Sequence, residues 1–203
     1  MHYLFTHKST IVLLLCITSI FVISNDCASQ EVKYKNTAIK AGVGVGINSG
    51  YREVGYGSVY SIGWQKSYGK KNKLRINPNL IVGGFEPLTI TDTREHSFRI
   101  SMICFNIHYD LIKYKIVSIS ASAGGFADYT RGVFWKGSWR DFDFKGSEYF
   151  HSMYAGGCAS LGLRFNPENY GLAFEIRPFN FCMGSREFLL GYMMFGIDFK
   201  FRE

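Results

Sequence analysis

Proline is scarce in this chain, with 4 among 203 residues, and no apolar stretch is long enough to cross a bilayer as a helix. The longest, "IVLLLCITSIFVI" from Ile11 to Ile23, stops at 13 residues. Cysteine is nearly as rare: of the five, Cys16 and Cys27 lie near the N-terminus. The remaining three, Cys104, Cys158 and Cys182, are an odd number at wide spacing. They imply no disulfide framework and match no zinc pattern, so all three are expected to be small buried hydrophobes. No phosphate-binding loop, dinucleotide fingerprint or metal cluster occurs, and no cofactor or metal is expected. What the sequence does hold is 17% aromatic residues, with 18 Phe and 13 Tyr beside 22 Gly. That mixture favours strands over helices, and the length fits one all-β domain.

The first thirty residues follow a different pattern. One lysine, Lys8, precedes the apolar run, and "SNDCAS" follows it with small residues at Cys27 and Ser29. Basic, apolar and small in that order is a secretory signal peptide, with cleavage expected after Ser29. Acylation at Cys27 would want a small residue before it, where Asp26 stands. The expected organisation is therefore a signal peptide at 1–29, a short segment at 30–36 and a barrel domain at 37–203. Removing Lys8 together with Asp26 leaves the net charge at +7. Export argues against reading that charge as a nucleic-acid footprint.

The mature chain alternates with period two, the mark of strands with two unlike faces. In "TAIKAGVGVGINS", Ile39, Ala41, Val43, Val45 and Ile47 alternate with Lys40, Gly42, Gly44, Gly46 and Asn48. In "VGYGSVYSIGWQ", Val54, Tyr56, Tyr60, Ile62 and Trp64 alternate with Gly55, Gly57, Ser61, Gly63 and Gln65. Six further segments repeat the theme. Three carry irregularities: Pro78 marks an edge or a bulge in the third, the fourth changes parity and suggests a bulge near Met102, and the seventh loses phase after Pro178.

The smaller, more polar face includes Lys40, Arg75, Asp128, Arg164, Glu175, Arg177, Asp198 and Lys200. A soluble barrel would hold the apolar face inside and these groups in water. In a transmembrane barrel the arrangement inverts: the apolar face meets lipid and the charged, Gly/Ser-rich face fills a narrow lumen where opposite charges pair. Every segment reaches the 9 to 11 residues, roughly, that a bilayer crossing needs. Connections alternate between short turns ("YGKKNK", "IKYK", "NPENYG") and outward loops, the longest running from Arg131 to Phe150. With an even strand count both termini fall on the periplasmic side.

The closing "GIDFKFRE" resembles the C-terminal assembly signal of outer-membrane proteins, with Gly196, Phe199 and Phe201 in frame on the eighth strand. Met194 departs from that pattern, where a polar residue is common, as do the trailing Arg202 and Glu203. Residues 37–201 as a whole resemble the small outer-membrane β-barrels of Gram-negative bacteria. The resemblance implies an eight-stranded antiparallel up-and-down transmembrane barrel in the outer membrane. It further implies recognition by the barrel-assembly machinery and surroundings of outer-membrane lipid and lipopolysaccharide.

Fold does not settle function. The expected role is structural or interaction-mediating at the cell envelope, without enzymatic activity. Lys40, Arg75, Arg164, Glu175, Arg177, Asp198 and Lys200 form the expected lumen charge network, as a salt-bridged plug in preference to a small-solute path. Phe134, Trp135, Trp139, Arg140, Phe142 and Phe144 form the candidate extracellular contact surface for an envelope or extracellular protein partner. A lipid-modifying enzyme would need a nucleophile, a base and an orienting acid. His151 adjoins Ser152, but neighbouring strand residues point to opposite faces; His108 and Asp110 share a face as a hydrogen-bonding pair. A soluble periplasmic lipid-binding barrel is the competing fold-level reading, and it requires Trp64 and Phe199 to point inward.

Overall fold

The computed structural model describes residues 34–51, 53–69, 72–87, 97–135, 147–167 and 170–202, the side chains of Phe134, Trp135 and Ser147 excepted. The expected signal peptide lies outside the described residues. Eight strands follow in order: β1 (Tyr34–Ser49), β2 (Val54–Tyr68), β3 (Leu74–Pro87), β4 (Phe98–Tyr114), β5 (Val117–Trp135), β6 (Ser147–Phe165), β7 (Leu172–Gly184) and β8 (Leu189–Arg202). Each pairs with the next, and β8 returns antiparallel to β1, so the sheet closes into a barrel. Closure removes the unpaired edges that a flat sheet would expose. β1 starts at Tyr34, inside the stretch expected to precede the barrel.

The two periodic sets separate as the inverted arrangement requires. Val43, Val45, Ile47, Tyr60, Ile62, Ile103 and Phe105 are exposed on the outer wall, while Lys40, Arg75, Glu175 and Asp198 are buried inside. Trp64 is 41% exposed and Phe199 48%, the reverse of what a soluble lipid-binding barrel requires.

The irregular segments resolve differently from one another. β4 keeps a single parity from Phe98 to Asp110 in register with both neighbours, so the bulge expected near Met102 is absent. Both parities are apolar there because Phe98, Ile100, Met102 and Cys104 point into an apolar part of the lumen. The break in β4 falls at Leu111, between the pairs Asp110–Ser120 and Ile112–Ile119. In β7 the register shifts between Arg177 and Asn180, around Pro178, and the outward set changes from Leu172 and Ile176 to Phe179, Phe181 and Met183.

Pro78 needs neither an edge nor a bulge. The pairs Gly63–Asn79 and Lys66–Ile76 bracket it without a shift and set it opposite Trp64. Proline has no N–H to offer the Trp64 carbonyl. The Asn77 side-chain amide donates to that carbonyl instead, at 2.9 Å, and so completes the wall.

The turns are tight at the end that carries both termini. Gly69, at φ 87°, accepts a bond on its carbonyl from the Asn72 N–H at 3.0 Å, and Lys115–Ile116 joins β4 to β5 directly. The strands run 13 to 19 residues, longer than expected, and β5 and β6 reach furthest toward the other end. Of the stretch from Arg131 to Phe150, expected to be loop, residues 131–135 and 147–150 are therefore strand.

Candidate functional site

The lumen is the first candidate, and it is built in two levels. Toward the termini end lies a buried charge cluster centred on Glu175, which is fully buried. Glu175 has partners on three other walls of the barrel: its carboxylate is ion-paired with Lys40 of β1, lies 3.5 Å from Arg75 Nη1 of β3, and accepts from Ser120 Oγ of β5 at 3.0 Å. Arg177 Nε on its own strand lies 3.9 Å away. Asp198 of β8 accepts from Arg164 Nη2 at 2.8 Å and Gln65 Nε2 at 3.0 Å, with Lys40 Nζ at 3.8 Å. Arg75 Nη2 donates to Asp110 Oδ1 at 2.8 Å, which closes the network toward β4.

Alternation explains why these groups meet. Each occupies an inward parity on a different strand, and the narrow bore of an eight-stranded barrel leaves side chains from opposite walls within reach. Buried charges without counter-charges cost several kcal/mol each, so the cluster persists because every carboxylate has a cation. Six of the seven residues expected in a lumen network, Lys40, Arg75, Arg164, Glu175, Arg177 and Asp198, are brought together. Lys200 is not: its ammonium donates to the carbonyls of Pro167 and Tyr170 at 2.8 and 3.1 Å, at the termini-end rim. Gln65 and Ser120 join the cluster from the polar parity of their strands, and Asp110, expected to pair with His108, joins it through Arg75.

The second level, toward the loop end, is apolar. Phe85 and Phe98 stack with centroids 5.3 Å apart, and Phe188 packs on Phe126 at 5.3 Å and on Tyr154 at 4.8 Å. Ile81, Ile100, Met102 and Leu190 fill the space among them, all with 2% exposure or less. Inward glycines make room for the rings: a Cβ on Gly83 would stand 2.6 Å from the Phe85 ring, and one on Gly184 2.8 Å from that of Phe126. This layer went unread in the sequence because its residues look like ordinary strand apolars; only parity distinguishes them from the lipid-facing set.

Met194 joins the levels. Its thioether accepts from Arg177 Nη2 at 2.9 Å and Ser61 Oγ at 3.2 Å, so the position that departs from the assembly-signal pattern lies inside the lumen. Cys158 and Cys182, directly opposed on β6 and β7, form a disulfide, which corrects the expectation that all three cysteines are simply small buried hydrophobes; among the described residues Cys104 is the one free thiol, and it is buried. The sequence spacing held no signal for that bond, since it depends on strand register.

The catalytic candidates do not assemble. His151 is exposed on the outer wall while Ser152 points inward. His108 is buried, and Asp110 is engaged by Arg75. His96 lies outside the described residues. Among the described residues no group of three or more His, Cys, Asp or Glu could hold a metal ion.

The candidate contact surface is placed only in part. Phe134 and Trp135 belong to the end of β5, whereas Trp139, Arg140, Phe142 and Phe144 lie outside the described residues. Of the assembly-signal residues, Gly196 faces inward beside the Lys40 side chain, and Phe199 and Phe201 face outward.

No family model and no curated protein matches the sequence. Solved structures do. Neisserial surface protein A (NspA) aligns with a TM-score of 0.59 at 12% identity, over 82% of this chain and 98% of that one. Ail, the attachment invasion locus protein of Yersinia pestis, aligns at 0.50 and 11% identity, over 85% of this chain and 100% of that one. A second structure of Ail, in complex with the heparin analogue sucrose octasulfate, aligns at 0.51 and 14%, over 81% and 97%. At these identities the likeness is one of fold: an eight-stranded antiparallel outer-membrane β-barrel.

Proposed function

We propose that this chain is an integral outer-membrane protein, exported by its N-terminal segment. Its barrel is a rigid, non-conducting platform with both termini in the periplasm, and it works through the surface it presents at the loop end. The observation that carries this reading is the two-level lumen inside an apolar outer wall. A pore needs a continuous wet path, but the charged cluster is covered by a packed layer in which Phe85, Phe188 and Leu190 admit almost no solvent. The outer wall, with Ile62 58% and Ile103 69% exposed, is suited to lipid rather than water.

The strands that rise highest, β5 and β6, carry the aromatic and charged stretch from Arg131 to Phe150, the candidate surface for an extracellular or envelope partner. The last strand, with Gly196, Phe199 and Phe201, is the segment for the barrel-assembly machinery. The similar barrels, a surface protein and an attachment invasion locus protein, agree with a role at the cell exterior. No enzymatic step is assigned, since among the described residues no nucleophile and base meet.

Membrane fractionation tests the reading, with unheated and heated samples compared on a detergent gel. Carbonate-resistant outer-membrane material whose mobility shifts on heating is the expected result. Release into the soluble periplasmic fraction without a heat shift overturns it.

A further inference from the structure

One row of paired residues on the outer wall is at odds with its own charge. Arg99 of β4 stands directly opposite Arg131 of β5, and Arg131 directly opposite His151 of β6. All three are exposed, and all three point outward, because Phe98, Ile100, Thr130, Phe150 and Ser152 on either side of them point in. Directly opposed residues have Cβ atoms about 5 Å apart, where like charges repel. Among the described residues neither guanidinium has a carboxylate within ion-pair distance. Glu86 of β3, exposed on the same wall, is the nearest acidic residue along the strands, two residues from the Gly84 that pairs with Arg99. Two arginines set face to face, with no carboxylate paired to either among the described residues, are an arrangement that an anion bridging them would complete.

The height of the row says where that anion sits. Below it on the outer wall come Ser101, Tyr129 and Met153, then Ile103, Ala127 and Ala155, and so on to Tyr114, Val117 and Phe165 at the termini end. From Val117 to Tyr129, at about 3.3 Å per residue and a tilt of about 40°, the wall rises roughly 30 Å, enough for the apolar band and its aromatic girdle. Arg99, Arg131 and His151 thus fall at headgroup level on the loop side. Beside them the wall is hollowed. Arg99 pairs with Gly84, and Gly84 with Ser58. There begins a groove of about 710 Å³ across β3, β2, β1, β8 and β7, with Glu86 at the end near Arg99 and Val45, Ile47, Tyr56, Phe181 and Met193 walling the rest. Small residues in the floor and large apolar ones on the sides shape it for a hydrocarbon chain.

We propose that Arg99 and Arg131, with His151 at the edge, bind the phosphate of an outer-leaflet glycolipid whose acyl chain lies in the adjoining groove. The site rests on the outer-membrane reading above, because that reading puts the loop side in the outer leaflet. A phosphomonoester, with up to two negative charges, matches two guanidinium groups better than the single charge of a phospholipid diester.

The test uses the full mature chain folded in detergent, with the heat-shifted form verified first. Native mass spectrometry then measures retention of bis-phosphorylated lipid A, its phosphate-free counterpart and phosphatidylglycerol. The expected result is retention of lipid A at least about tenfold above the phosphate-free form, lost in the double variant Arg99→Gln/Arg131→Gln and kept in the control Arg202→Gln at the other end. Without lipid, the double variant is expected to unfold no more readily than the parent, since the repulsion is relieved; a purely structural pair would weaken the barrel when removed. Equal retention of the phosphate-free lipid, or unchanged retention by the double variant, overturns the site while the membrane reading stands. Stronger retention of phosphatidylglycerol overturns the choice of glycolipid. A chain that never acquires the heat-shifted form overturns the membrane reading and the site together.

Discussion

Replacing Glu175 by Gln tests whether the lumen cluster holds the barrel together. The substitution keeps the shape and the bond from Ser120 but removes the charge that faces Lys40, Arg75 and Arg177. The described cluster then has Lys40, Arg75, Arg164 and Arg177 against only Asp110 and Asp198. Taking one partner from a buried ion pair costs about 3 to 5 kcal/mol. Lys40 retains Asp198 at 3.8 Å and Arg75 retains Asp110 at 2.8 Å, so the lower end, about 3 kcal/mol, is expected. At a urea slope of about 2 kcal/mol per M this moves the unfolding midpoint down by roughly 1.5 M. The assay is urea unfolding of vesicle-inserted barrel, followed by the fluorescence of lipid-facing Trp64. The double variant Lys40→Met/Glu175→Met should recover most of the loss, because well-packed apolar groups replace a buried pair with little penalty. A midpoint unchanged in Glu175→Gln, or a double variant weaker than the single one, refutes the reasoning.

Asn77→Ala should cost about 1 to 2 kcal/mol by leaving the Trp64 carbonyl unpaired, and Asn77→Ala/Pro78→Ala should recover part of it by restoring a ladder N–H, both read as unfolding midpoints. Replacing Cys158 and Cys182 with Ser should lower stability by up to about 3 kcal/mol, since the bond closes a loop of 24 residues' separation, and a reducing agent should reproduce the shift in the parent. The turn at Arg186 and Glu187 holds both residues at positive φ, 54° and 63°, and Asn-Gly in their place should raise the unfolding free energy by about 1 to 2 kcal/mol, read from the urea midpoint. The intact barrel should show no steady conductance in planar bilayers; Phe188→Ala/Leu190→Ala should admit water to the upper lumen, and an intact barrel that already conducts would refute the sealed layer.

Much of the wall was legible beforehand because side-chain direction in a strand alternates with every residue. Val43 and Val45 outward and Lys40 inward follow from parity alone, and so does the inversion that turns the apolar face to lipid. Parity misleads where both faces of a strand are apolar. In β4 both sets are apolar, and a bulge near Met102 was the economical expectation; the actual answer is a second apolar layer inside the lumen, which no single strand reveals. Lys200 shared the parity of Asp198 but stands one step nearer the rim, where backbone carbonyls take its charge.

The sequence by itself determined the eight alternating strands, their inward and outward faces and the tight turns, because these depend on neighbours along the chain. The tertiary structure alone decided which inward groups meet. Lys40 and Glu175 are 135 residues apart, and Cys158 faces Cys182 only through the register of β6 with β7. Register, bulges and closure are collective properties of the whole sheet. They set the height of each inward side chain, and hence place the charge cluster toward one end of the bore and the aromatic layer toward the other.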